Sequence, residues 1–203
     1  NSSGYIGGAF EFDGVNDWFN VSTSMDFFRD DYSISVWVKP TLIDASNQDI
    51  LSLMDYLHNH GILLEFDLTS GKNELRFLHR FPSGSSGGDD LFSGINFTLN
   101  NWYFLTFVRD SSKMYIYVNG IKDNETAVTN QGFNSSLSGY IGRLSEIGSN
   151  PRLFKGSIDE LHIWNTSLTS GEVSVLYNTS KNFGSNNTDI TVTSGTQNTF
   201  TLN

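Results

Sequence analysis

Three short carboxylate-bearing stretches hold most of the chemistry that this chain of 203 residues could perform. Asp13-Gly-Val-Asn-Asp17 packs Asp13, Asn16 and Asp17 into one turn. Oxygens at that density suit Ca²⁺, which takes about six to eight hard oxygen ligands, although an Asx turn at Asp13-Gly14 accounts for the same residues without a metal. Glu11-Phe-Asp13 and Glu65-Phe-Asp67 each put two acids on one face of a strand, and glycoside hydrolysis requires two carboxyl groups roughly 5 to 9.5 Å apart. Paired acids are also ordinary on a solvated strand face, where Glu65 and Asp67 could equally accept hydrogen bonds from sugar hydroxyls. His58 and His60 bracket Asn59 after Asp55; that spacing can grip a transition metal and is also common in polar loops. His79 and His162 fall in expected strands and read as packed or edge residues.

Composition removes several alternatives. There is no cysteine, hence no thiolate metal site, thiol nucleophile or disulfide framework. The formal net charge of −10, with 12 Lys plus Arg, sets the field against nucleic acid and anionic lipid and is compatible with cations or neutral glycans. No G-x-S-x-G nucleophile elbow and no phosphate-cradling glycine motif is present. No apolar run approaches the roughly 18 to 20 residues that span a bilayer, so direct membrane insertion is not expected. The chain does not open with a basic segment followed by an apolar one, so any signal or anchor is expected outside it.

The elements that must position these residues are strands. Tyr32 to Lys39 alternates so that Ile34, Val36 and Val38 share a face, which should be core. Trp102 to Val108 and Lys113 to Val118 flank the polar turn Arg109-Asp-Ser-Ser112, and Asn119-Gly120 turns the chain again into Ile121 to Thr126, giving a meander. Gly61 to Phe66 and Glu74 to Phe81 form another hairpin. Further strands are expected at Gly8 to Phe12, Trp18 to Val21, Asp49 to Met54, Gly139 to Arg143 and Ser157 to Trp164. One short helix is expected near residues 169–178, where Thr169 and Glu172 have capping-box spacing. About a dozen strands without strand–helix alternation predict an all-β, two-sheet antiparallel jelly-roll sandwich. Pro82 to Asp90 reads as a flexible, polar loop.

The domain is expected to span 1–180. Residues 181–203 read as a linker from Lys181 followed by a C-terminal strand pair, Asp189 to Thr193 and Asn198 to Leu202. Those strands could extend this domain, open a next one, or be given to a neighbouring copy by β-augmentation.

Ala9 to Trp18, Tyr32 to Lys39, Asn101 to Arg109 with Met114 to Gly120, and Phe154 to Asn165 with the helix after it stand in one order along the chain. These motifs resemble those of laminin-G-like jelly rolls of the concanavalin superfamily, and the resemblance covers residues 8–178. It implies the jelly roll strongly and the function weakly, because this fold serves lectins, adhesion modules and glycosidases alike. It also implies a structural calcium held between Asp13 and Asp159, with Asn16, Asp17 and Glu160 as further oxygens. The catalytic members of the superfamily add a third acid to an E-x-D pair; here Val15 and Asn16, and Thr69 and Ser70, occupy those places. No enzyme is therefore expected.

N-x-S/T occurs at Asn1, Asn20, Asn96, Asn124, Asn134, Asn165, Asn178 and Asn186, eight sites where roughly four would arise by chance at this composition. That excess suits an extracellular or cell-surface glycoprotein. The expected function is a recognition or adhesion module, calcium-stabilised, whose partner is a glycan or a cell-surface protein. Tyr56, His58, His60 and the Asp89-Asp90 loop are its candidate binding residues, since sugars stack on aromatic rings and pair their hydroxyls with amides and carboxylates. A second expectation is a structural subunit that assembles with copies of itself into a filament by strand exchange.

Overall fold

Alternating apolar positions build the two-sheet sandwich expected from the sequence. A computed structural model describes residues 2–25, 28, 31–44, 47–54, 60–68, 70–84, 86–130, 132–133, 136–144 and 151–186. In chain order the elements are β1 (Ser2–Ser3), β2 (Gly8–Asp13), β3 (Phe19–Met25), β4 (Tyr32–Pro40), β5 (Gln48–Met54), β6 (His60–Asp67) and β7 (Glu74–His79). They continue with β8 (Asp89–Phe92), β9 (Tyr103–Arg109), β10 (Lys113–Val118), β11 (Ile121–Ala127), β12 (Leu137–Ile141), β13 (Lys155–Trp164) and the helix α1 (Ser170–Asn186). One sheet has seven strands in the order β1-β2-β13-β4-β9-β10-β11, and the other has six in the order β3-β12-β5-β6-β7-β8.

The inner faces meet in one core. Ile34, Val36 and Val38 of β4, Leu105 and Phe107 of β9, and Met114 and Ile116 of β10 pack against Ile62, Leu64 and Phe66 of β6 and Leu75 and Phe77 of β7. Each such side chain, fully removed from water, contributes about 1.5–3 kcal/mol. The alternate residues Ser33, Ser35 and Trp37 of β4 are buried too, so something covers the outer face of the seven-stranded sheet.

That cover is α1. Thr169 N–H and Oγ1 both bond the Glu172 carboxylate at 2.8 Å, and Glu172 N–H donates back to Thr169 Oγ1 at 3.3 Å, so the expected capping box forms. The helix then runs to Asn186, and Lys181–Asn186 is helical where a linker was expected. No proline interrupts 170–186, and Gly184 lowers helix stability by only about 1 kcal/mol. Packing against the sheet outweighs that cost: Val173 is buried with Val108 and Tyr117, while Tyr177 leans on Trp37 and Phe104. The Asn119-Gly120 turn has positive φ at both residues, 52° and 78°, as a type I′ hairpin requires, and Gly120 leaves room for Tyr177. The strand pair expected at Asp189 to Leu202 lies outside the described residues.

The loop expected over 82–90 ends earlier. Asp89–Phe92 is a strand on the edge of the six-stranded sheet, hidden in the sequence because paired aspartates have low strand propensity. The excursion before it is organised by Arg80, which donates to the carbonyls of Gly84 and Gly87, each at 2.6 Å.

A tight spot between strands gives a test of the packing. A Cβ on Gly139 in β12 would lie 2.0 Å from the Ser52 carbonyl oxygen of β5. Gly139→Ala is expected to lower unfolding free energy by about 1–3 kcal/mol, read as a lower denaturation midpoint in urea.

Candidate functional site

With α1 on one side, the outer face of the six-stranded sheet is the broad surface left for a ligand. The seven-stranded sheet is closed further by Tyr5, whose ring stacks on Trp37 with centroids 3.4 Å apart, and by Asp159, whose Oδ2 accepts the Ile6 N–H at 2.9 Å. Strand register orders the open face. Tyr140, Ser52, Leu63 and Leu78 lie in one row across β12, β5, β6 and β7, and Asp49, Glu65 and Arg76 lie in the next.

The middle of this face is covered. Leu144 packs on Leu63 and Leu78, its N–H bonds the Pro151 carbonyl at 2.8 Å, and Asp49 N–H bonds the Arg152 carbonyl at 3.1 Å. Beneath them Glu65 is fully buried and paired with Arg76 at 2.9 Å and Arg152 at 2.8 Å; Arg76 also reaches Asp90 at 2.7 Å. Asp49 is fully buried beside Glu65, and neither of its carboxylate oxygens has a hydrogen-bond partner among the described residues. Burial pushes its carboxyl well above the ordinary range, Glu65 adds to the shift, and Arg152 and Arg76 oppose it. The acids thus belong to a closed cluster. Asp67 is also buried and takes the Asn47 amide at 3.3 Å, so the Glu65–Asp67 pair is not the solvated surface that the sequence suggested.

At the β3–β12 edge the face opens onto three side chains. The turn before β3 is held by Asp13 Oδ1, which accepts Val15 N–H at 2.7 Å and Asn16 N–H at 3.2 Å, and by Asp17 Oδ2, which accepts Asp13 N–H at 2.9 Å. These N–H groups hold the Asp13 carboxyl below its ordinary pKa. The turn delivers Trp18, which is 42% exposed, against Tyr140, edge to face at 5.1 Å. Past Gly142, the Arg143 guanidinium lies 4.8 Å from the Tyr140 ring centre and 5.2 Å from that of Trp18. Aromatic faces attract such a cation.

The expected site residues are scattered. Lys155 pairs with Asp13 and Ile158 with Phe10, which puts Asp159 level with Ala9. Asp13 lies four residues further along β2, about 13 Å at roughly 3.3 Å per residue. Two ligands of one calcium stand within about 5 Å of each other, at roughly 2.3–2.6 Å from the ion. Asp13 and Asp159 thus stand apart along β2, and the hydrogen bonds within the turn are those of an Asx turn. The described residues contain no cluster of three or more His, Asp or Glu side chains able to hold a metal.

Among the binding candidates, Tyr56 and His58 lie outside the described residues, and His60 opens β6 opposite Met54. Asp89 is buried; despite burial, Thr129 and Asn130 keep its pKa low by donating from both backbone and side chain. Asp90 is exposed and bound to Arg76. His79 is packed, with Nδ1 3.0 Å from the Tyr32 hydroxyl, and His162 is half-buried against Trp164. The sequon residues Asn20, Asn96, Asn124, Asn165 and Asn178 are exposed. Asn1 and Asn134 lie outside the described residues, and Asn186 ends α1. Sequence reasoning missed Trp18, Tyr140 and Arg143 as a unit: nothing local signals that residue 18 meets residues 140 and 143 across antiparallel β3 and β12.

Residues 13–174 match the family model of the concanavalin A-like lectin/glucanases superfamily, laminin G group 3, and the chain belongs to that family. A heptameric SAP-like pentraxin from Limulus polyphemus shares the fold at TM-score 0.67 and 17% identity, over 82% of this chain and 80% of that one. Domain 4 of AbnA, a GH43 extracellular arabinanase from Geobacillus stearothermophilus solved with arabinotriose, gives TM-score 0.62 and 22% identity over 87% and 79%. A putative carbohydrate binding protein from Bacteroides ovatus gives 0.59 and 20% over 82% of this chain and 45% of its own. No curated protein matches the chain.

The closed acid cluster yields a paired prediction. The raised pKa of Asp49 means that the folded state binds more protons than the unfolded one, so stability falls as pH rises above the ordinary carboxylate range of about 4. Asp49→Asn removes that loss, and its melting temperature should exceed the wild type's at pH 7 by more than at pH 4. Glu65→Gln strips two arginines of their shared anion and should cost about 3 kcal/mol by chemical denaturation.

Proposed function

We propose that this domain is a non-catalytic, extracellular recognition module that binds glycan at the Trp18–Tyr140–Arg143 edge of the six-stranded sheet. The observation that carries the reading is the half-open Trp18 ring beside a stacked guanidinium, on the face that α1 leaves free. An exposed aromatic face takes the apolar side of a sugar ring, and arginine donors take its hydroxyls. The fold family supports this use, as do neighbours described as a carbohydrate binding protein and as a domain in complex with arabinotriose.

The placement of the paired acids supports the non-catalytic reading. Glu65 is held by two arginines and Asp67 by Asn47, so neither stands ready to protonate a leaving group or to attack a sugar. Five exposed sequon asparagines support the extracellular setting. One of them, Asn20, lies opposite Tyr140, so a glycan attached there would crowd the proposed site.

A glycan array with protein produced without N-glycans tests the proposal. Trp18→Ala should weaken binding to every positive glycan about tenfold or more while unfolding free energy changes by about 1 kcal/mol or less. Binding that is unaffected by Trp18→Ala would overturn this site. Repeating the array after EDTA treatment and calcium readdition tests the calcium expectation, with the Asp13–Asp17 turn beside Trp18 as the ion's proposed place.

A further inference from the structure

We infer that the sugar taken at this edge carries a carboxylate, and that Arg143 is the residue that selects it; the inference rests on the glycan-binding reading above. Arg143 differs from the other described arginines in how its donors are used. Arg76 is paired with Glu65 and Asp90, and Arg152 with Glu65. Arg80 bonds the Gly84 and Gly87 carbonyls, and Arg109 bonds the Asn130 carbonyl. Arg143 donates only from Nε, to the Leu144 carbonyl at 3.3 Å, and its Nη1 and Nη2 have no acceptor among the described residues. Among the described residues this guanidinium has no carboxylate partner.

Its orientation is fixed in advance. The contacts to Tyr140 and Trp18 and the Nε bond hold the planar head at one edge of the sheet, so little side-chain freedom remains to be lost when a ligand arrives. A planar guanidinium with both terminal amino groups available matches the two coplanar oxygens of a carboxylate in a bidentate pair. Trp18 offers the adjoining apolar surface for the ring that bears that carboxylate. The net charge of −10 opposes an anion at long range, but screening beyond about 8–10 Å leaves the direct contact in control.

The test uses pairs of oligosaccharides that differ only in a carboxylate and its methyl ester, titrated calorimetrically into the intact domain. The acid form should bind about tenfold or more tighter, and the preference should shrink as salt rises from about 50 to 500 mM. Arg143→Met should weaken both forms, which lose its hydroxyl contacts, and bring the acid down to the affinity of the ester, Arg143→Lys should restore only part of the preference, and Trp18→Ala should weaken both forms while keeping their ratio. Equal affinity for acid and ester, or a preference that survives Arg143→Met, overturns the inference. If the esters still bind through Trp18 in that case, the glycan-binding reading stands alone. Tighter binding of sulfate esters than of carboxylates overturns the choice of anion, free acetate competing as well as the sugar acid overturns the role of the ring, and no binding of any sugar overturns both proposals.

Discussion

Packing of α1 and Tyr5 onto Trp37 and its neighbours decides which surface of this domain remains available. A sandwich of two sheets has an inner face on each, consumed by the core, and two outer faces. Here the seven-stranded sheet loses its outer face to Val173, Tyr177 and Tyr5, so β4 is buried on both sides at the centre of the sheet. The capping box at Thr169 and Glu172 starts the helix where Val173 meets Val108 and Tyr117. What remains open is the other sheet, and every functional argument follows from that asymmetry.

The open face is itself divided by electrostatics. Its middle holds Glu65 between two arginines, with Asp49 alongside and Leu144 laid over Leu63 and Leu78. Buried ion pairs gain little net stability once desolvation is counted, and they tie neighbouring segments into one geometry. Here Glu65 ties Arg152 to β6 while Arg76 ties β7 to Asp90 of β8. Glu65 and Asp67 are used in structure, and the aromatic edge at Trp18 combines exposed ring surface with guanidinium donors that have no acceptor among the described residues.

Most of the fold was legible because strand alternation and turn chemistry are local. Ile34, Val36 and Val38, the Asn119-Gly120 turn and the Thr169–Glu172 spacing each carry their meaning within a few residues. The strand at Asp89–Phe92 was not legible, since its first two residues disfavour strands and its pairing with β7 is what imposes the conformation. The extension of the helix past Lys181 was not legible either, since the packing of Val173 and Tyr177 that anchors it to the sheet joins residues distant in sequence. The site was legible least. The family resemblance paired Asp13 with Asp159, and register sets them about 13 Å apart along β2; Trp18, Tyr140 and Arg143 converge only through the pairing of β3 with β12.

The most direct test of the central claim is a two-dimensional NMR titration of the labelled domain with the best-bound glycan. The account predicts that the Trp18 indole and Arg143 Nε resonances shift saturably and together, while the Trp37 indole, closed beneath Tyr5, does not move. Shifts concentrated on Trp37 and Trp102, with Trp18 unchanged, would contradict it and would place recognition on the helix-bearing face.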